Sequence, residues 1–551
     1  AQTTPQLGIR DKTPNLVALT NATVQTEPGK TLTGATILIR DGKIEAVNSN
    51  GRVPAGYQQR DLSGYTVYAG FIDPYTQYGV PKAGEGEGFS FGRRPVYENE
   101  RRGGNAANDA IHAEQRWVSE FKPDSKAAEE FLKQGFTVVQ SARQDGIFRG
   151  TAFVASLADD LPNNLVLKAD SQHFMAFSKG SSKQTYPSSL MGSIALIRQT
   201  LSDANWYQAA SSRENVTVNG QPLEFNAALA GLANVKQQGV LFDTSDERSL
   251  LRANKVLSEF EITNALLLGS GYEYSRLEQI KATGKPILLP LNFPAAPDVT
   301  TAEQRLDVNL ADLRHWERAP ANPAVLAQAG IPFAFTSHGL NKKTDFIPNL
   351  RKAVQYGLSQ QQALAALTTV PANILGLGQQ LGKVAPGYQA DLVISRGDLF
   401  AEGEIVATWL RGQEKRFAPV QPAAFAGQYQ LSVGEQNVQI TLTGNAPKLT
   451  GEAVLGEKKA KLENIKAQDQ RLQFSLPLKD LTEQAVVLQF NGVLSGEQLA
   501  GYWLDAAGKQ QSVTAQRSSI EPKVAKAAPA PAAMLSKLTY PNRAFGVEAL
   551  P

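Results

Sequence analysis

The stretch Tyr68–Gln77 reads YAGFIDPYTQ and decides how the rest of the sequence is interpreted. Its first half continues an apolar run, Val67–Ile72, which predicts a buried β-strand. An aspartate and a proline follow, and then a tyrosine-threonine-glutamine triplet. Polar side chains therefore stand where this strand ends. In parallel α/β barrels the residues at strand ends carry the chemistry, so this stretch is also the first candidate site.

Downstream of this stretch, apolar strands alternate with amphipathic helices such as Leu190–Leu201, a pattern typical of a parallel α/β arrangement. Its length fits a (β/α)8 TIM-like barrel with long loops over residues 67–384. The other predicted strands of this segment are Thr137–Val139, Leu165–Leu167, Val240–Phe242, Ala265–Leu268, Ile287–Leu289 and Phe333–Phe335, and the other predicted helices are Ala127–Lys133 and Gln361–Thr368.

Short β-strands flank the α/β segment on both sides. Residues 1–66 and 385–420 are predicted to form one composite β-sandwich domain, because strand patterns separated by turn signals occur at both ends. Residues 421–517 alternate apolar and polar side chains, which predicts an antiparallel β-module. Residues 518–551 are rich in proline and alanine and are predicted to be a linker and tail.

Composition narrows the classes of function. The 55 Lys and Arg residues nearly balance the 52 Asp and Glu residues, which gives no reason to expect nucleic acid as a partner. The absence of cysteine excludes disulfides, thiolate nucleophiles and cysteine-ligated zinc. No stretch approaches the ~20 continuous apolar residues of a membrane span. The start at Ala1-Gln2 is typical of a removed signal peptide, so we expect an exported, periplasmic protein. A shortened cytosolic protein is the alternative.

Several stretches resemble the amidohydrolase superfamily, particularly its imidazolonepropionase-like branch. Tyr68–Pro74 resembles the first barrel strand of that superfamily, and Asn21–Val24 followed by Ile39–Ile44 is similar to its opening β-hairpins. Tyr356–Val393 resembles the helices after strand eight and the return to the flanking β-domain. The resemblance spans residues 15–412. It implies the same fold as the strand pattern, a (β/α)8 barrel with a flanking β-sandwich domain, here followed by the C-terminal β-module.

The resemblance also implies where a metal site would lie. The superfamily places a His-x-His pair after strand one, histidines after strands five and six, and an aspartate after strand eight. These residues bind one or two zinc or similar divalent ions, which activate a water molecule. On these positions the present sequence has, in order, Tyr75 and Gln77, Asp243, Ser270 and His338. A phenol must ionise from a pKa of about 10, and an amide oxygen is a weak zinc ligand. We therefore predict no metal cofactor, and a pocket lined by these five residues.

Asp243 and His338 are the candidates for any remaining catalysis. A histidine and an aspartate can act as base and orienting group, or as two ligands of a weaker metal site. The alternative is that His338 only forms hydrogen bonds in a filled pocket. His173, placed in the loop after strand three, and Arg149, placed in a turn after strand two, are candidates for contacts with a ligand. A structural role for Arg149 is equally compatible with the sequence.

The C-terminal tail bears on function. Tyr540–Val547 resembles the connector of tandem bacterial amidohydrolases, in which a degenerate first half precedes a half that resembles an active enzyme. We therefore expect a pseudoenzyme, a non-catalytic subunit or half that forms a hetero-oligomer with a homologous catalytic amidohydrolase. One alternative is an active hydrolase of peptide or other C–N bonds with an atypical site. Another is a binding module for a small molecule or a protein.

Overall fold

The computed structural model describes residues 14–518, except residues 50, 84–107, 214–215, 219, 419–424, 435, 445–448, 469, 483, 496 and 506–507. The predictions made for the start of the chain and for the linker and tail from residue 519 onward lie outside the described residues, as does the tail motif Tyr540–Val547.

The chain begins with the strands β1 (Leu16–Glu27), β2 (Lys30–Arg40), β3 (Lys43–Ser49), β4 (Gln58–Asp61) and β5 (Tyr65–Ala69). The turn between β2 and β3 is formed by Asp41 and Gly42, which have φ angles of 49° and 80°. Two successive positive φ angles are typical of a tight hairpin turn and explain the Asp-Gly pair.

The apolar run Val67–Ile72 is not one strand, as predicted, but parts of two. β5 ends at Ala69, and the next strand begins at Phe71 in a different sheet. Gly70 lies between them, where a Cβ atom would approach Thr137 Oγ1 to 2.1 Å. Only glycine fits this crossing point. Both strands are buried, so the hydrophobic pattern runs through the boundary without a break.

The central segment follows, residues 71–374. Its strands are β6 (Phe71–Thr76), β7 (Phe136–Ser141), β8 (Phe148–Thr151), β9 (Phe153–Ser156), β10 (Val166–Lys168), β11 (His173–Ala176), β12 (Thr217–Val218), β13 (Gln221–Pro222), β14 (Val240–Asp243), β15 (Ala265–Leu268), β16 (Ile287–Pro290) and β17 (Phe333–Thr336). Its helices are α1 (Ser125–Leu132), α2 (Pro162–Leu165), α3 (Leu190–Ser211), α4 (Ala227–Gly231), α5 (Val235–Gln238), α6 (Glu247–Glu259), α7 (Leu277–Ala282), α8 (Ala302–Asp307), α9 (Leu310–Arg318), α10 (Asn322–Gln328), α11 (Phe346–Gln355), α12 (Gln360–Leu367) and α13 (Thr369–Ile374). Within the described part of the chain, no helix is both long and apolar enough to cross a membrane.

Two sheets form the centre of this segment. One has the strand order β10-β9-β7-β6 and the other the order β17-β16-β15-β14-β11-β8. β6 is parallel to β7, and β11, β14, β15, β16 and β17 are parallel to one another. Leu241, Leu266, Leu288 and Ala334 on successive parallel strands are fully buried. Burial on both faces explains why these strands are continuous apolar runs in the sequence.

Two predicted elements of this segment differ from the structure. Leu165–Leu167, predicted as a strand of the parallel series, is split between the single turn α2 and β10, which is antiparallel to β9. Its place in the parallel series is taken by β11. Arg149 lies on strand β8, not in a turn as predicted. β10 has three residues and β8 has four, too few for a period-two pattern to be recognised.

The chain then returns to the first sheet through β18 (Leu392–Arg396), β19 (Glu404–Leu410) and β20 (Gln413–Arg416). In the described residues this sheet has eight strands, in the order β20-β19-β18-β5-β1-β2-β3, with β4 paired to β1. Residues from both ends, such as Leu19, Ile37 and Trp409, share one apolar core. Short 3₁₀ helices occur at Trp117–Glu120, Glu273–Arg276, Ala319–Ala321, Lys343–Asp345 and Leu478–Asp480.

The last strands form a separate antiparallel sheet with its own core. They are β21 (Gly427–Val433), β22 (Gln436–Thr443), β23 (Thr450–Leu455), β24 (Lys458–Lys461), β25 (Glu463–Gln468), β26 (Arg471–Pro477), β27 (Val487–Ser495), β28 (Gln498–Leu504) and β29 (Gln510–Ser518). Their order is β24-β23-β22-β21-β29-β28-β27-β26-β25. Tyr429, Phe474, Phe490 and Trp503 lie in the core. Mixed α/β structure followed by a C-terminal antiparallel sheet is therefore confirmed.

Candidate active site

Tyr75 lies at the end of β6 and is almost completely buried. Its hydroxyl donates a hydrogen bond to Asp243 Oδ2 at 2.7 Å. Its ring packs against Phe174 and His338, with centroid distances of 5.1 and 4.7 Å. Burial raises the pKa of the Tyr75 hydroxyl, Arg149 opposes this rise and Asp243 adds to it. The phenol therefore keeps its proton and acts as a hydrogen-bond donor, not as an anionic ligand.

Arg149 projects from β8 to the same place, and its side chain is only 5% exposed. Its Nη1 donates to the Tyr75 hydroxyl oxygen at 2.6 Å and to Asp243 Oδ2 at 2.9 Å. Its Nε donates to the carbonyl of Gly146 at 3.0 Å. The guanidinium is thus engaged inside the protein. This arrangement supports the structural role for Arg149 instead of the contact with an anionic ligand.

Asp73 is a buried residue next to the site that the sequence did not single out. Its carboxylate is fully buried on β6 and accepts hydrogen bonds from the Thr336 hydroxyl at 2.6 Å and the Ser337 hydroxyl at 2.6 Å. It also accepts from the backbone N–H of Ser337 and of Tyr75. Burial raises the pKa of Asp73, and these hydrogen bonds oppose the rise. The carboxylate ties β6 to the end of β17, which brings the ends of the two sheets together.

His338 and Gln77 line a cleft next to the carboxyl ends of β6 and β17, which has a volume of about 980 Å³. His338 follows β17, and burial lowers the pKa of its imidazole, while Asp243 and Asp73 oppose the fall. The ring is therefore neutral at pH 7. Gln77 is exposed, and its Oε1 accepts a hydrogen bond from the backbone N–H of Gln144 at 3.1 Å.

Ser270 lies two residues after β15, also at the carboxyl end of a parallel strand. It is bonded to Glu273 and not to the Tyr75, Asp243 and Arg149 cluster. Its backbone N–H and its hydroxyl donate to Glu273 Oε1 at 2.6 and 3.3 Å. Glu273 is fully buried and also accepts from Asn322 Nδ2 at 2.7 Å. The Ser270 hydroxyl thus belongs to a local anchor for the loop after β15. The sequence signal for this anchor is an acidic residue three positions after a strand-end serine.

His173 does not lie in a loop after a strand, as predicted, but begins β11. It pairs with Val240, whereas Ala176 at the other end of the strand pairs with Asp243. His173 is therefore at the amino ends of the parallel strands, whereas Tyr75 and Asp243 lie at their carboxyl ends. Its Nε2 lies 2.8 Å from Gln238 Oε1. The placement of His173 with the candidate site is wrong, because the third parallel strand begins later than the apolar pattern predicts.

The buried position of His173 predicts acid sensitivity. Burial lowers the pKa of His173 to about 4, from 6.5. The unfolded chain therefore takes up a proton between pH 6.5 and 4 that the folded chain does not. Stability from this group is complete above pH 6.5 and falls by ~3 kcal/mol as the pH drops to 4. His173→Gln, which keeps a donor for Gln238, should flatten this part of the curve of unfolding free energy against pH. An unchanged curve would show that His173 is not the responsible group.

The residues present do not fit the divalent metal that the fold implies. Among the described residues, no three His, Asp or Glu side chains come together as a group that could hold a metal ion. Tyr75 is a protonated donor, and Asp243 Oδ2 is already bonded to Tyr75 and Arg149. A divalent ion at about 4 Å from the guanidinium would be repelled by roughly 8 kcal/mol at an effective dielectric constant of about 20.

Comparisons with known proteins agree with this fold. Residues 271–417 match the amidohydrolase family. Imidazolonepropionase from Chromobacterium violaceum is 25% identical over 394 residues, which cover 67% of this chain and 86% of that protein. Amidohydrolase tasK from Hapsidospora irregularis is 41% identical over 70 residues, 12% of this chain, and the match spans only 7% of that protein's length.

A solved structure shows the same fold. The crystal structure of an amidohydrolase from Thermotoga maritima MSB8 superimposes with a TM-score of 0.57 at 21% identity, and it covers 73% of this chain and 100% of its own. That share of the chain agrees with the span 15–412 over which the sequence resembles the superfamily. The chain is therefore similar to the amidohydrolase family over residues 271–417, similar to an imidazolonepropionase over 67% of its length, and shares the fold of a solved amidohydrolase.

Proposed function

We propose that this chain is a non-catalytic member of the superfamily, which holds no metal cofactor and does not carry out metal-dependent hydrolysis. The observation that supports this is the cluster formed by the buried side chains of Tyr75 and Arg149 with the partly exposed Asp243. Two of the implied metal positions are bonded there to each other and to a fixed positive charge. Metal-dependent activation of water needs an open coordination position on a metal held by deprotonated ligands.

The proposal includes the full architecture expected from the sequence. We infer that the two central sheets form one closed (β/α)8 TIM-like barrel, and that the flanking sheet forms a β-sandwich domain. The bonds from Asp73 to Thr336 and Ser337 support closure on one side. On the other side, β8 and β9 belong to different sheets and are separated only by Ala152. A closed barrel would bring all the parallel strand ends to one rim.

We further propose that the chain works with a homologous catalytic amidohydrolase, in a hetero-oligomer. The support is the retained scaffold beside a site that does not fit the family's metal, together with the tail sequence Tyr540–Val547. A fold kept without its chemistry is useful as a structural or regulatory partner of a related active chain. Binding of a small molecule in the cleft beside His338 is compatible with this role.

Purification of the tagged full chain from its source organism tests the partnership. We expect a second chain that carries the histidine metal ligands to co-elute at a fixed stoichiometry, identified by mass spectrometry. That complex, and not the isolated chain, should hydrolyse C–N bonds. Recovery of the chain always by itself, at several expression levels, would contradict the proposal.

An active hydrolase with an atypical site is the second candidate function. The observation that favours it is a neutral imidazole, His338, which faces the cleft next to the Tyr75–Asp243 pair. A neutral imidazole can accept a proton from water. The isolated chain should be assayed against dipeptides, N-acyl amino acids and cyclic amides, with His338→Gln as the paired variant. We expect no turnover by either protein. Turnover that His338→Gln abolishes would establish this second candidate.

A further inference from the structure

The carboxyl ends of two separate strands converge on one positive charge. Tyr75 is the next-to-last residue of β6, Asp243 ends β14, and the Arg149 guanidinium from β8 donates to both of them. In the superfamily the strand ends converge in the same way on a metal ion. Here the converging group is part of the chain.

We propose that Arg149 is a built-in cation that replaces the metal ion as the group that holds these strand ends together. This inference rests on the proposed loss of metal chemistry and extends it to what fills the place of the metal. Arg149 is a positioning residue in this account, because its contacts are with Tyr75, Asp243 and the protein backbone.

Hydrogen bonds hold both the backbone and the side chain of Arg149 in place, which supports this role. Its backbone carbonyl accepts a hydrogen bond from Trp117 Nε1 at 2.5 Å, and its Nε donates to Gly146 at 3.0 Å. The next residue, Gly150, has φ of 86°, and a Cβ atom there would lie 2.4 Å from the carbonyl oxygen of Gln115. The backbone is thus fixed where it presents the guanidinium to Tyr75 and Asp243.

The chemistry of arginine fits a permanent internal cation better than that of lysine. Burial itself would lower the pKa of Arg149, but Tyr75 and Asp243 outweigh burial and raise it. A guanidinium stays charged in a buried site and offers several donors in one plane, whereas a buried lysine readily loses its proton. The Arg149→Lys variant should therefore keep only part of the stability that Arg149 provides.

Chemical rescue tests the proposal. Arg149→Ala leaves a space the size of a guanidinium group beside Asp243, and we expect a lower melting temperature. Millimolar ethylguanidinium should raise that temperature in a saturable way, whereas potassium chloride at the same ionic strength should not. The matched control is Arg143→Ala, since Arg143 lies 3.5 Å from Asp145 but its side chain is 27% exposed. We expect no rescue of that variant.

A double variant covers the case in which Arg149→Ala does not fold. Arg149→Ala with Asp243→Asn removes the unpaired carboxylate and should regain part of the lost stability. The proposal is overturned if Arg149→Ala melts like the parent protein. It is also overturned if neither ethylguanidinium nor Asp243→Asn recovers any stability. These readouts are melting temperatures, so they do not depend on whether a catalytic partner or an activity is found.

Discussion

Asp73→Ala is expected to destabilise the central segment by about 3–5 kcal/mol. The variant removes a buried carboxylate that accepts four hydrogen bonds, two of them from backbone N–H groups. The two backbone donors would then be buried without partners. Because the bonds to Thr336 and Ser337 join β6 to β17, the loss should appear at the junction of the two sheets. Urea unfolding, with hydrogen exchange of peptides from β6 and β17, measures it.

Two variants separate this effect from a general loss of packing. Asp73→Asn should lie between the parent and Asp73→Ala, because each carboxylate oxygen faces a backbone N–H and the amide nitrogen cannot accept from it. Ser337→Ala removes one hydroxyl donor and leaves its acceptor bonded to the backbone, so about 1 kcal/mol is expected. If Asp73→Ala costs no more than Ser337→Ala, then Asp73 does not join the two sheets energetically.

Trp503→Ala should destabilise the C-terminal sheet by about 3–5 kcal/mol and leave the central segment unchanged. Trp503 is 2% exposed, packs edge-on against Phe474 and Phe490, and donates from Nε1 to the Ser432 carbonyl at 3.0 Å. These residues form a core that is separate from that of the central segment. The loss should therefore be confined to one calorimetric transition.

Val493→Ala is the control for this variant, since Val493 lies on the same sheet but is 43% exposed. A change of less than about 0.5 kcal/mol is expected for an exposed position. If Trp503→Ala instead lowers every transition of the chain together, the C-terminal sheet does not fold as a unit of its own.

The sequence predicts the order of elements well where hydrophobic runs are long. The strand ends carrying Tyr75 and Asp243 are recognisable because apolar strands of the parallel series precede them. Gly70 shows the limit of such patterns. It separates two buried strands in two sheets, and only the contact of a Cβ atom with Thr137 reveals the need for glycine there.

The sequence predicts the candidate site less completely, for a physical reason. The positions expected to bind metal can be read from the sequence, but their partners cannot, since these come from strands far away in the chain. Arg149 is 74 residues from Tyr75 and 94 from Asp243. Asp73 is 263 residues from Thr336. A short strand such as β8 gives no pattern that tells whether its arginine points to solvent or into the protein.

We propose that the cation at the carboxyl ends of β6 and β14 is Arg149 and not a metal ion. Metal content per chain, determined by inductively coupled plasma mass spectrometry, tests it most directly. The protein should be purified without metal-affinity resin and measured before and after incubation with excess zinc and gel filtration. We expect far less than one equivalent of any transition metal in both samples. About one zinc, manganese or iron per chain, lost in His338→Ala, would contradict it.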